Sequence, residues 1–236
     1  MKQFLPFAII IAFIFSSCQK QLQFDTADTG NNNNNGNNTG SSSDCKACVY
    51  FPMCDGSQYS YIDTISGAAS VRTSTIKIAK DTTIDSKSFQ KVYTAESPST
   101  YQYYNCTDGL TRIIAYNGTT LNGNTITVID LRLISANQPV GTTWTDKITN
   151  PLGQEVDYVN TIKSKGISKT VNGQTFSDVI FVEVETGVNA PPIGYFNTNI
   201  TEYYYAKGVG LVETVLRDAT TGAIFQHSVI KSYKLP

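Results

Sequence analysis

Short runs of alternating apolar and polar residues, separated by turn residues, constrain this fold more than any other feature of the chain. Apolar spacing of helical period is almost absent. In the run 125–135, Ile129, Leu131 and Leu133 alternate with charged residues, which gives one apolar face and one polar face. The pair Asn172-Gly173 separates two further runs, and both residue types tolerate the positive φ of a tight hairpin. The pattern predicts an all-β, antiparallel fold.

Thirteen such runs can be read from the spacing of the turn residues. They fall at residues 57–64, 71–80, 89–93, 101–106, 110–116, 125–135, 142–149, 156–163, 168–171, 175–184, 203–207, 211–217 and 223–233.

The second half of the domain repeats the first. Residues 83–93 match residues 170–180 without a gap, and residues 56–60 resemble residues 141–145. Shorter matches follow in the same order, at 75–77 with 161–163 and at Tyr103-Tyr104 with Tyr203-Tyr204. Two hairpins can share turn chemistry by chance. The collinear order favours a duplication instead.

We therefore predict two tandem repeats, at about residues 56–135 and 141–235. Two antiparallel meanders of this kind would join into a strongly curved sheet or a partly open barrel of about ten strands.

The first residues have the anatomy of a cleaved export signal. Lys2 precedes an apolar stretch from residue 4 to residue 15, and two serines lead into Cys18. A membrane-spanning helix would need roughly 20 apolar residues, which is longer than this stretch. The Phe-Ser-Ser-Cys ending resembles the lipobox of bacterial lipoproteins. The resemblance implies that the signal peptide at residues 1–17 is removed and that Cys18 carries the lipid, a stable anchor when several acyl chains are buried.

Gln19 follows the cysteine, where an acidic residue would favour inner-membrane retention in the enterobacterial scheme. The resemblance thus implies an outer-membrane lipoprotein, facing either the periplasm or the cell surface. Residues 25–43 are dominated by Asn, Gly, Ser and Thr, which cannot bury enough apolar surface to fold. We expect residues 18–44 to be the lipidated cysteine and a disordered tether, and residues 45–236 to be a single β domain.

Four cysteines remain after Cys18, an even number that predicts two disulfides in an oxidising compartment. Three of them, Cys45, Cys48 and Cys54, precede the first strand, whereas Cys106 ends a strand of the domain body. At least one bridge should therefore pin the segment onto the sheet near Cys106. A zinc site with four cysteine ligands and a redox pair at Cys45 and Cys48 are the alternatives, although the spacing fits no common zinc ribbon and no helix is evident.

Known catalytic motifs are absent from the sequence, including the Gly-x-Ser-x-Gly elbow, the His-Glu-x-x-His helix and phosphate or dinucleotide loops. His227 is the only histidine and shares a strand face with Phe225 and Val229, which favours a structural role. Glu183 and Glu185 share another strand face, and such a pattern indicates a solvated face more than a glycosidase pair. We expect no cofactor and no metal.

Residues 203–212 read Tyr-Tyr-Tyr-Ala-Lys-Gly-Val-Gly-Leu-Val. They resemble the Tyr-x-Ala-x-Gly-Val-Gly-x-Val signature of a group of uncharacterised Gram-negative lipoproteins. That group includes TapB-like proteins and is similar to the LolA/LolB-like fold. The resemblance implies a curved sheet with a concave face, and LolA-like proteins carry a lipoprotein's acyl chains in such a concavity. Gly208 and Gly210 would be structural glycines that allow a bend or bulge.

The composition argues against one class of function, nucleic-acid binding, and supplies candidate ligand-binding residues. The net charge is -1 and 16% of residues are charged, so no basic field attracts nucleic acid. The chain has 14 tyrosines, several of them paired on predicted strands. The candidate ligand-facing aromatic residues are Tyr103, Tyr104, Tyr203, Tyr204 and Tyr205.

These features favour a non-catalytic binding or assembly module of the cell envelope. Its partners would be the membrane, through the lipid anchor, and an apolar ligand, a glycan or an envelope protein. An envelope hydrolase with an unfamiliar active site is the alternative.

Overall fold

The computed structural model describes residues 48–236, except residues 80, 85, 116–119, 122–123, 126–128, 150–153, 191 and 193. The predicted signal peptide at 1–17, the lipid-bearing Cys18, the tether up to residue 44 and Cys45 lie outside the described residues. The described part of the chain consists of strands, turns and loops and contains no helix. None of it therefore forms an apolar helix long enough to cross a membrane.

The described residues form fifteen strands. They are β1 (Gln58–Ile65), β2 (Ala68–Ile78), β3 (Thr82–Ile84), β4 (Lys87–Thr94), β5 (Ser97–Thr107), β6 (Leu110–Ala115), β7 (Thr120–Leu121), β8 (Asn124–Thr125), β9 (Ile129–Ser135), β10 (Thr143–Thr149), β11 (Glu155–Val171), β12 (Gln174–Ala190), β13 (Gly194–Ala206), β14 (Gly210–Asp218) and β15 (Ile224–Lys234).

Twelve strands form one antiparallel sheet in the order β10-β11-β12-β13-β14-β15-β1-β2-β4-β5-β6-β9. Strand β3 pairs with β4 beside this path, and β7 and β8 form a separate two-stranded sheet. The predicted all-β, antiparallel and strongly curved fold is confirmed, with twelve strands along the sheet where about ten were expected.

Each half contributes six strands to this path, and several strands of the second half are longer than the predicted runs. The predicted runs 156–163 and 168–171 belong to one strand, β11, because its pairing with β12 continues through three register shifts between Ile162 and Lys169. Strand β13 begins at Gly194, well before the predicted run at 203. Gly194 and the polar residues 197–199 make its first part resemble a loop in sequence, but pairing with the end of β12, such as Asn189 with Tyr195, holds it in the sheet.

The two halves have the same strand order, as a tandem repeat requires. Strands β1, β2, β4, β5, β6 and β9 form one meander and β10 to β15 form the other. The residues that lead into the first strand of each meander also make equivalent backbone hydrogen bonds. Gly56 N–H donates to the Ile76 carbonyl at 2.9 Å, and Gly141 N–H donates to the Ile162 carbonyl at 2.8 Å. In return, Ile76 N–H donates to Ser57 and Ile162 N–H to Thr142, at 2.7 and 3.0 Å.

The halves meet at two junctions. At one, β15 pairs with β1 along the whole length of β1, from Gln58 opposite Lys234 to Ile65 opposite Gln226. At the other, β9 and β10 share no backbone ladder in the described residues, and side chains of Arg132, Asp146 and Trp144 bridge the gap. The sheet is thus nearly closed into a barrel with one unsealed seam.

Residues 48–54, called here the plug segment, pack against strands of both halves and against the turn between β13 and β14. The ring of Phe51 stacks on Tyr104, with centroids 5.5 Å apart, and meets Tyr205 edge-on at 5.9 Å. These two tyrosines belong to different halves, so Phe51 contacts both repeats. A Cys48–Cys106 disulfide with Cα atoms 5.7 Å apart pins the segment to β5, as predicted from the sequence. Cys54 is disulfide-bonded as well.

Candidate functional site

A cavity of about 170 Å³ lies inside the barrel beside the plug segment, and we call it the lumen cavity. Its volume is comparable with an engineered apolar cavity of about 150 Å³ that binds benzene. The lining combines aromatic and aliphatic side chains with a smaller set of hydroxyl, amide and guanidinium groups. The lining residues are Phe51, Pro52, Met53, Tyr59, Tyr61, Arg72, Ser74, Ile76, Thr94, Gln102, Tyr104, Thr201, Tyr203, Gly210, Leu211, Thr214, Leu216, Gln226 and Ser228.

Strand β1 supplies the aromatic wall. Tyr59 and Tyr61 are two positions apart, so both side chains point into the lumen. Tyr59 Oη donates to the Pro52 carbonyl at 3.0 Å and Tyr61 Oη donates to the Leu211 carbonyl at 2.9 Å. Burial raises the pKa of the Tyr61 phenol, which stays protonated at neutral pH. With both hydroxyls engaged, the two residues present mainly their rings to the cavity.

A polar network forms the wall next to these rings. Asp63 accepts hydrogen bonds from Arg72 Nε at 2.9 Å, from Arg72 Nη2 at 3.4 Å and from Ser228 Oγ at 2.6 Å. Gln226 Nε2 donates to Ser228 Oγ at 3.2 Å. The ladder brings these groups together, because Asp63 lies opposite Ser228 on β15 and Arg72 lies opposite Tyr61 on β2.

Arg72 is held on two sides. Its guanidinium carbon lies 4.9 Å from the centroid of the Tyr61 ring, in addition to the ion pair with Asp63. The Asp63 side chain is 7% exposed, whereas that of Arg72 is 35% exposed. The carboxylate is therefore buried behind the guanidinium, and the charges of the wall compensate each other.

The five tyrosines predicted to face a ligand lie in three different places, namely the cavity wall, the core and the outer face of the sheet. Tyr104 and Tyr203 line the lumen cavity, and burial raises the pKa of Tyr203 to about 12. Tyr205 is 1% exposed and packs against Phe51 in the core. Tyr103 and Tyr204 alternate with cavity residues and lie on the opposite face of the sheet.

On that outer face, Tyr204 stacks on Phe181 with centroids 4.6 Å apart. Lys169 Nζ lies 3.7 Å from the centroid of the same ring. Tyr204 is therefore part of an outer cluster of side chains.

Several lining residues were not among the sequence candidates. Tyr59 and Tyr61 could have been found from their alternation within the predicted run 57–64. Phe51 and Met53 carried no such signal, because they lie in the plug segment outside any strand. Arg72 could not be found from the sequence, because its place in the cavity wall and its ion pair with Asp63 depend on the pairing of two strands.

The glycines predicted to be structural lie at the turn between β13 and β14. Gly208 and Gly210 have φ values of +73° and +110°. A Cβ at Gly210 would lie 3.6 Å from Pro52 Cδ, so this turn also passes close to the plug segment.

The titratable groups considered as catalysts lie outside the lumen. His227 Nε2 lies 2.8 Å from Glu213 Oε1, on the strand face opposite Ser228. Glu183 pairs with Lys163 at 2.9 Å, and Glu185 accepts from Asn197 at 3.0 Å. No group of three or more His, Cys, Asp or Glu side chains in the described ranges is placed to hold a metal. The Cys48–Cys106 bond also excludes a four-cysteine zinc site and a Cys45–Cys48 pair.

No protein-family profile and no curated protein matches this chain. Two solved structures are similar to this chain over 79% of its length. One is a candidate lipoprotein from Parabacteroides distasonis, with 14% identity, a TM-score of 0.48, and coverage of 79% of this chain and 98% of that chain. The other is a candidate exported protein with a YmcC-like fold from Bacteroides fragilis, with 12% identity, a TM-score of 0.47, and coverage of 79% and 99%.

Proposed function

We propose that this protein is a membrane-anchored lipoprotein of the cell envelope whose β domain binds an apolar or aromatic ligand without catalysis. The lumen cavity carries this proposal, because it is a concave site with mostly apolar walls and a few converging polar groups, the usual character of a small-molecule site. The anchor at Cys18 and the outer-membrane location are proposed from the lipobox-like ending and from Gln19.

The arrangement of polar groups supports binding over hydrolysis. Ser228 is the hydroxyl nearest to a carboxylate in the site, but its partner Asp63 is already neutralised by Arg72. His227 lies on the same strand as Ser228, but its side chain points to the opposite face, where it contacts Glu213. Its imidazole is therefore not directed at Ser228. A serine hydrolase needs a base within hydrogen-bond reach of the nucleophile. The LolA/LolB-like relationship stays a prediction.

Ligand binding can be tested with 1-octanol, whose chain suits a narrow apolar cavity, by calorimetric titration of the domain. Ser74→Phe places a ring in the cavity, and Thr73→Phe is the matched control because Thr73 is exposed on the other face of the same strand. We expect wild type and Thr73→Phe to bind alike and Ser74→Phe to bind roughly tenfold more weakly or not at all. Equal binding by Ser74→Phe, or no binding by wild type, would refute the cavity as the site.

Anchoring is a separate experiment. The full chain and its Cys18→Ala variant are expressed in a Gram-negative host, and their membrane fractions are separated by density. Wild type should sediment with the outer membrane and carry acyl chains by mass spectrometry, whereas Cys18→Ala should not. An unacylated wild-type protein would refute the anchor.

A further inference from the structure

We propose that the lumen cavity selects neutral amphipathic ligands, with an alcohol-, phenol- or amide-type head, over ligands that carry a carboxylate or an ammonium group. This inference rests on the proposed function and names the ligand class of the same site. Three features of the cavity wall carry it.

The first feature is charge balance. Among the lining residues that the structure describes, Arg72 is the only Lys, Arg, Asp or Glu. Its charge is compensated at 2.9 Å by Asp63, whose side chain is 7% exposed. A charged ligand head would lose its hydration and meet a wall of zero net charge, so its desolvation would go uncompensated.

The second feature is the rigidity of the pair. A carboxylate ligand could compete for Arg72 only by displacing Asp63. Asp63 is held on the other side by Ser228 Oγ at 2.6 Å, and Ser228 is itself supported by Gln226. Displacement would therefore leave a buried carboxylate without its cation.

The third feature is the supply of neutral hydrogen-bonding groups. Thr201, Thr214, Ser74 and Gln226 line the same cavity and can each donate and accept a hydrogen bond. A hydroxyl or amide head finds both partners there without any change in charge. The rings of Tyr59 and Tyr61 would then contact the apolar part of the ligand.

The test compares three ligands with one common chain, 1-octanol, octanoate and octylammonium, by calorimetric titration at pH 7. Wild type should bind 1-octanol roughly tenfold or more tightly than either ion, as expected when a charge is desolvated without a partner. Asp63→Asn keeps the shape and leaves Arg72 as an unpaired cation. It should shift the ratio of octanoate to octanol binding by about tenfold toward octanoate.

Asp130→Asn is the matched control, since Asp130 also pairs with an arginine, Arg112, but does not line the cavity. It should leave the ligand order unchanged. If Asp63→Asn fails to fold by circular dichroism, Arg72→Gln gives the opposite test, because it leaves Asp63 unpaired and should shift preference toward octylammonium.

The possible results separate the two proposals. Failure of all three ligands to bind wild type refutes the proposed function. Binding of 1-octanol together with equal or tighter binding of octanoate or octylammonium leaves the proposed function in place and overturns the selectivity. An unchanged ratio of octanoate to octanol binding in folded Asp63→Asn, or an unchanged ratio of octylammonium to octanol binding in folded Arg72→Gln, also overturns it.

Discussion

The two junctions between the halves occupy equivalent places in the repeat but are built differently. Each joins the last strand of one meander to the first strand of the other. Strands β15 and β1 pair through a backbone ladder from Gln58 to Ile65. Strands β9 and β10, although consecutive in the chain, are bridged by side chains of Arg132, Asp146 and Trp144. Repeat position alone therefore does not determine how an edge is closed.

Tyr59 and Trp144 show the difference at one matched position of the repeat. Each donates a hydrogen bond of 3.0 Å to a backbone carbonyl, Tyr59 to Pro52 of the plug segment and Trp144 to Arg132 across the seam. The plug segment lies beside Tyr59, the matched position of the first half. One aromatic side chain therefore lines the cavity, and its counterpart closes the barrel wall.

The seam edges are protected by their side chains. Asp146 accepts from the Arg132 backbone N–H at 3.0 Å and from Arg132 Nε at 2.7 Å. Arg132 Nη2 donates to the Thr145 carbonyl at 2.7 Å. Charged side chains that occupy the bonding groups of an edge strand prevent pairing with another chain. The side chains thus protect the seam from pairing with a strand of another chain, although no backbone ladder joins β9 and β10 in the described residues.

The largest expected contrast comes from proline at the two junctions. Thr64 on β1 lies between two paired strands, opposite His227 and Ala69. Thr64→Pro removes a ladder hydrogen bond and leaves its acceptor unpaired, which should cost about 3 kcal/mol. The Thr145 carbonyl points into the seam, so its N–H does too, and Thr145→Pro should cost less than about 1 kcal/mol. Urea unfolding of both variants measures the difference. Equal losses of unfolding free energy in the two variants would mean that β9 and β10 also pair through a backbone ladder.

The ion pair at the seam should have the next largest effect. The Asp146 side chain is 9% exposed, so Arg132→Met leaves a buried carboxylate without its cation and with only the backbone N–H of residue 132 from this partner. We expect a loss of about 2 kcal/mol, below the 3–5 of fully buried pairs because Arg132 is partly exposed. Arg132→Lys should recover part of the loss. Hydrogen exchange should show faster opening of β9 and β10 in Arg132→Met but unchanged protection of β1 and β15.

The glycines that begin the two meanders test their equivalence. Gly56 and Gly141 have φ values of +80° and +88°, and an added Cβ would meet no atom within 4 Å at either. Each alanine substitution should therefore cost only the backbone strain, about 1 kcal/mol. The losses in thermal unfolding should agree within about 0.5 kcal/mol, and the double variant should be additive. Unequal losses would argue against equivalent turns.

The smallest expected effect concerns the loop that joins β9 to β10. Lys165 Nζ donates to the carbonyls of Ala136 and Gln138, at 2.5 and 3.0 Å. Lys165→Met should destabilise the fold by about 0.5 kcal/mol, because these bonds lie near solvent. Lys163→Met on the same strand, which removes an exposed ion pair with Glu183, is the control for the loss of a charge near solvent. A loss above 2 kcal/mol for Lys165→Met would show that the loop holds the seam closed.

Much of the fold could be predicted because its signals are local. Alternation within β1 and β9 and turn pairs such as Asn172-Gly173 depend only on neighbouring residues. The same strand order in both halves was predictable from the collinear repeat. The bounds of β11 and β13 were not, since their pairing passes through register shifts or polar residues that resemble a loop.

The candidate site was less accessible from the sequence. Tyr104 and Tyr203 were identified, but Tyr204 and Tyr205 could not be distinguished from them, because a run of tyrosines does not reveal which side chain reaches empty space. Arg72 and Asp63 carried no signal at all. Their pairing depends on adjacent strands of the sheet, and their position in the cavity depends on its closure.

The sequence by itself determined the strand class, the turns, the duplicated order and the bridge from the plug segment to Cys106. These follow from side-chain period, turn chemistry and cysteine placement, which are properties of the chain. Only the tertiary structure decided that β1 meets β15 by a ladder while β9 meets β10 by side chains, and that the cavity forms between Phe51 and the Asp63–Arg72 pair. The physical reason is that barrel closure and one plug segment make equivalent repeat positions face different neighbours.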